Sequence, residues 1–108
     1  MKKVLTGIAV LAALCLMVSV SNAQDKANGE KVYKAKCASC HGPDGKGDTA
    51  AGKATKTRDL SSDEVKKETD AEWAKIIVNG KNKMPSYDKK LTEAEVKDVV
   101  AYMRSLVK

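Results

Sequence analysis

The C-terminal part of the chain carries the plainest hydrophobic rhythm. Val96, Val99, Val100, Met103, Leu106 and Val107 recur at helical spacing, with Lys97, Ala101, Arg104 and Ser105 outside their arc and Tyr102 on its rim. This predicts a helix from about Glu93 to Val107 that buries one face and makes Met103 a core residue. A shorter segment, about Asp70 to Asn79, presents Trp73, Ile76 and Ile77, and Gly80 stands where a left-handed cap would end it. Upstream, a helix is predicted from about Lys26 into the segment Cys37–His41, closed by the turn-rich run Gly42-Pro43-Asp44-Gly45-Lys46-Gly47-Asp48. Three predicted helix starts share one device, a hydroxyl residue followed three positions later by Glu: Ser61 with Glu64, Thr69 with Glu72 and Thr92 with Glu95. Each pair can satisfy two orphan amides reciprocally. No alternating strand pattern, repeat or low-complexity tract interrupts this series, so the expected class is all-α, with about four short helices.

The N-terminus follows a different logic. Lys2 and Lys3 precede an apolar run from Val4 to Val20, and Ser21-Asn22-Ala23 supplies small residues at its exit. That is the layout of a secretory signal peptide cleaved after Ala23. The run is interrupted by Thr6, Gly7 and Ser19, which makes it marginal as a membrane span. A lipoprotein reading through Cys15 fails on Leu14, which stands where a small residue is wanted. Residues 24–108 are then one small domain in the periplasm, with no stable membrane insertion. Cleavage removes Lys2 and Lys3 and no acid, so the formal charge falls from +6 by two, to +4. That balance is modest, and without a binding motif it gives no support to nucleic-acid recognition. The domain holds only Tyr33, Trp73, Tyr87 and Tyr102 as aromatics. So short a chain builds a thin core and gains from a covalent or cofactor cross-link.

Cys37-Ala38-Ser39-Cys40-His41 supplies the candidate. C-x-x-C-H is the attachment signature of c-type haem. On one helical turn the two thiols face one side, where both can add to the vinyl groups of a single porphyrin, and the adjoining imidazole can bind its iron. A structural zinc site needs four ligands, more than Cys37, Cys40 and His41 provide. A thioredoxin-like dithiol belongs beside a βαβ pattern that is missing here. In an oxidising compartment two free thiols tend to form a disulfide unless captured, so export and haem attachment agree.

Met84 is the candidate second iron ligand. It sits in the polar loop Gly80-Lys81-Asn82-Lys83-Met84-Pro85-Ser86-Tyr87, where no apolar pattern gives it a core to fill. Pro85 confines Met84 to extended conformations, and thioether with imidazole is a known haem ligand pair. A lysine ligand would first have to lose its proton.

On these residues the chain resembles the class I c-type cytochromes, the small bacterial periplasmic kind, over its whole region 24–108. The resemblance implies short helices around one covalently attached haem c, with the N- and C-terminal helices crossing. Gly29 and Tyr33 would meet Tyr102 at that crossing. It further implies a monomeric one-electron carrier, not an enzyme, working between redox proteins through iron held by His41 and Met84. The alternatives are a dedicated haem subunit of an oxidoreductase complex and a ligand-binding sensor. One departure stands out. The family often places a proline before its next short helix, and the proline carbonyl accepts the haem histidine's Nδ1 proton. Thr49 to Leu60 contains no proline. Lys81, Lys83, Lys89 and Lys90 flank Met84, and Lys34 and Lys36 precede Cys37. These bases could steer docking to an acidic partner surface. Intact-mass analysis of the exported protein is expected to show a chain beginning at Gln24 and carrying one haem.

Overall fold

The computed structural model describes residues 24–107. The signal peptide assigned to residues 1–23, its cleavage point after Ala23, and Cys15 lie outside the described residues. Among the described residues six helices form: α1 (Lys26–Lys36), α2 (Ala38–His41), α3 (Ala50–Thr55), α4 (Asp63–Lys66), α5 (Asp70–Asn79) and α6 (Glu93–Leu106). The all-α class is as expected, and none of these helices is long and apolar enough to cross a membrane.

Local chemistry explains where the helices begin. Thr69 and Thr92 each accept from the amide three residues on, while Glu72 and Glu95 reach back to the cap amides, forming both expected capping boxes. The third box does not form. Ser61 is instead captured by Asp59, whose carboxylate accepts from its amide at 2.8 Å and its hydroxyl at 2.6 Å. The next serine, Ser62, becomes the cap of α4. The predicted first helix also divides at Cys37, whose amide still closes on the Tyr33 carbonyl at 2.8 Å while Cys37 itself caps α2. Helix α3 was not expected. Its cap is Thr49, which accepts from the Gly52 amide, and three alanines in six residues favour the helix. Gly80 ends α5 with φ 79° and ψ 166°, a positive-φ extended turn and not the left-handed helical cap expected.

The core lies between α1, α5 and α6. Val32 and Tyr33 from α1, Val65 from α4, and Trp73 and Ile77 from α5 meet Val96, Val99, Val100 and Met103. The stripe read from α6 is buried, apart from half-buried Leu106. Asp98 and Ala101, outside that stripe, are buried too, because α6 covers a second face against α1. There the helices approach so closely that a side chain on Gly29 would penetrate the Asp98 carbonyl and press on Tyr102 Cβ. The Tyr33 and Tyr102 rings meet at a tilt beside this point, with centroids 5.3 Å apart. The Asp98 carboxylate accepts from the Asp25 amide at 2.8 Å and the Asn28 side chain at 2.9 Å. A buried carboxylate thus sits at the positive end of α1. Arg104 fixes the far end of α6: it donates to Asp70, to the Lys66 carbonyl and to the Glu68 carbonyl, and lies 3.7 Å above the Trp73 ring.

Gly29→Val is therefore expected to lower stability by about 2 kcal/mol or more, since an overpacked crossing must separate. Urea denaturation would measure this. Haem attachment, which depends on a local motif, should persist by mass spectrometry.

Candidate haem-binding site

The attachment motif is shaped by the backbone around it. Cys40 and His41 both return amides to the Cys37 carbonyl, at 3.2 and 2.9 Å, which makes the motif one tight turn. At this i, i+3 spacing Cys37 and Cys40 share a face. The turn is tied down on both sides. The buried Tyr33 hydroxyl donates to the Gly42 carbonyl at 2.5 Å, and the Thr49 hydroxyl donates to the Ser39 carbonyl at 2.7 Å. Helix α3 closes over it at Gly52, where a Cβ would collide with the carbonyl oxygens of Cys40 and Gly47.

Met84 is held by different means. Lys81 and Met84 exchange both backbone hydrogen bonds, at 2.9 and 3.2 Å, around a turn in which Asn82 takes φ 55°. The expected loop is thus a rigid hairpin turn. Ser86 and Tyr87 then anchor it to α5 through the Val78 and Ile77 carbonyls, at 2.5 and 3.0 Å.

These two segments face one cavity of about 920 Å³, its open mouth included. Cys37, Cys40, His41 and Met84 all line it, together with Leu60, Val65, Trp73, Ile76, Ile77 and Met103. Met103 is thus both a buried core residue, as expected from its stripe, and part of the cavity wall. The cavity rim carries Lys36, Lys56, Arg58, Lys81 and Lys83 and no carboxylate. Of the lysines expected near the site, Lys36, Lys81 and Lys83 belong to this rim. Lys34 pairs with Glu30 at 2.9 Å, and Lys90 lies over the Tyr87 ring. Lys56 and Arg58 were not foreseen, because the stretch from Thr49 to Leu60 offered no apolar pattern to place them.

The electrostatics suit a haem iron ligand. Burial, reinforced by the Arg58 guanidinium, pushes the His41 pKa below its ordinary value and favours the neutral imidazole that carries a donor lone pair. Burial pushes the Cys37 thiol up to about 11, the reverse of a reactive redox dithiol. Among the described residues no group of three or more His, Cys, Asp or Glu could hold a metal ion by itself. His41 Nδ1 is buried without a hydrogen-bond partner. The acceptor expected for it is not formed, in keeping with the missing proline. Paired thiols beside a neutral imidazole, a thioether on the same wall and an apolar lining together fit a covalently attached haem.

The family described as cytochrome c oxidase, cbb3-type, subunit III matches residues 24–103. The cytochrome c6 of Gloeothece citriformis is 36% identical over 95% of this chain and 93% of its own length. That of a Nostoc species is 35% identical over 95% and 92%, and that of Porphyra purpurea 31% over 97% and 94%. The family match over most of the described chain and near-complete coverage of these relatives in both directions lead to one conclusion: the chain belongs to the class I c-type cytochromes, monohaem electron carriers whose haem c is covalently attached, here through the C-x-x-C-H segment Cys37–His41.

Proposed function

We propose that His41 and Met84 would both ligate the haem iron, and that the protein is a diffusible, monomeric one-electron carrier of the periplasm, formed by residues 24–108 after loss of residues 1–23. The observation that carries this reading is the Met84 turn. A thioether on a doubly bonded hairpin, half-buried and lining the same cavity as His41, is held where a ligand is needed. Met103, the other described methionine on that wall, is committed to the core of α6.

Haem held by His41 and Met84 would supply a one-electron couple between ferrous and ferric iron, and two protein ligands would keep oxygen and organic substrates off the metal. The chain's own residues set the conditions for that couple. His41 stays neutral through burial. Trp73, Val65 and Ile77 exclude water from the wall, which favours the less charged ferrous state. The rigid Tyr33–Gly42 and Lys81–Met84 bonds keep the surroundings fixed when the electron arrives. Enzymatic bond chemistry has no place in this arrangement.

The basic rim speaks to partners. Among the described residues five cations and no acid surround the cavity mouth, and of these Arg58 alone is in an ion pair, with Glu68 at 2.9 Å. A redox partner with an acidic docking face fits this rim, and long-range attraction would speed encounter. A second reading, a haem subunit seated in an oxidase, is favoured by the description of the matching family. Against it, the cytochrome c6 proteins of Gloeothece citriformis and the Nostoc species are matched over more than nine-tenths of their own length.

Met84→Ala is expected to abolish the ferric sulfur-to-iron band, lower the reduction potential and let ferrous haem bind carbon monoxide, while acid-acetone extraction leaves the haem on the chain. A mutant that keeps the native spectrum and potential would remove Met84 from the iron. For the rim, electron exchange with an acidic partner should slow as salt rises from low ionic strength. Lys81→Gln with Lys83→Gln should flatten that dependence in stopped-flow measurements.

A further inference from the structure

Tyr87 joins the two halves of the site. Its amide donates to the Ile77 carbonyl at 3.0 Å, which fixes the residue to the end of α5. Its ring lines the cavity. Its hydroxyl crosses to the other side and donates to the Lys36 carbonyl at 3.0 Å, immediately before Cys37. Among the described residues this is the one hydrogen bond between the Met84 loop and the attachment segment. The loop's other crossing, from Lys83 Nζ to the Ala54 carbonyl, is long at 3.5 Å and ends on α3. An exposed ammonium at that distance holds little.

The remaining anchors of the loop all run to its own side. Ser86 bonds the Val78 carbonyl, and Met84 bonds Lys81. They shape the loop without fixing its distance from Cys37, Cys40 and His41. A phenyl ring at position 87 would fill the same space against the cavity but leave that distance unsecured. Burial pushes the Tyr87 phenol above its ordinary pKa, so the donor keeps its proton through the neutral range.

We infer that Tyr87 is a positioning residue for Met84: its hydroxyl, bonded to the Lys36 carbonyl, holds the Met84 loop closed against the attachment segment and so governs how often the thioether leaves the iron. The inference rests on Met84 being the ligand. It assigns the hydroxyl a role separate from that of the ring. Lys36 enters through its backbone, so the side chain that belongs to the basic rim is not part of the device.

The test uses the haem-loaded protein and its Tyr87→Phe variant. With ferrous protein at saturating carbon monoxide, binding is limited by departure of Met84. The bond lies at the surface, so its loss should raise that rate about three-fold, within the range of one neutral hydrogen bond. In the ferric protein, the sulfur-to-iron band should be lost at a lower temperature while the helix signal in far-ultraviolet circular dichroism keeps its midpoint. Tyr87→Leu, which also removes the ring, should raise the binding rate further. An unchanged rate in Tyr87→Phe overturns the inference, as does an equal shift of band and helix midpoints, which would mark a purely structural role. Failure of the Met84 reading has a different signature. The wild-type protein would then lack the ferric band and bind carbon monoxide without a limiting step.

Discussion

The close approach of α1 and α6 is the constraint on which the other parts depend. Gly29 lets the two backbones meet, and the Asp98 carboxylate fastens the crossing by accepting from the start of α1. Removing the donors would leave the buried Asp98 carboxylate unsatisfied, a cost larger than the net value of the bond itself. From this crossing α1 runs directly to Cys37, and Tyr33 on its inner face holds the Gly42 carbonyl. The position of the attachment turn is therefore inherited from a contact made at the opposite end of the helix.

The two sides of the cavity are built by unlike means. Cys37, Cys40 and His41 are neighbours in sequence and need only one turn of backbone to converge. Met84 comes from a distant loop and needs several independent anchors: the Lys81 pair, the Val78 and Ile77 carbonyls and the Lys36 carbonyl. Local geometry thus fixes the attachment side, while the Met84 side is only as firm as the hydrogen bonds between elements.

The same division decided what could be read from the sequence. The capping boxes at Thr69 and Thr92, the α6 stripe and the attachment turn are short-range patterns, and they stand as read. Cys37, Cys40, His41 and Met84, candidates drawn from the attachment motif and from the polar loop beside Pro85, line one cavity. What escaped reading depends on tertiary partners. Two adjacent serines look alike in sequence, and Asp59 decides between them by capturing Ser61. Helix α3 has no apolar stripe and a glycine in its middle, although Thr49 before an alanine-rich run was a usable signal. Asp98 reads as a solvent residue until α1 brings Asp25 and Asn28 to it. Arg58 lines the cavity while Glu68 holds it through two bonds, at 2.9 and 3.1 Å, a partner ten residues away that no local pattern announces.

Trp73 has a consequence for observing the protein at work. It is the only tryptophan in the chain, lies on the cavity wall, and is clamped there by the Arg104 guanidinium and by the Val65 carbonyl at 3.1 Å. An indole excited beside a porphyrin passes its energy to that neighbour instead of emitting light. The folded, haem-loaded chain is thus dark in tryptophan fluorescence and brightens when α5 draws away from the cavity. The fold carries a built-in optical ruler at the wall where water is excluded, and it requires no label.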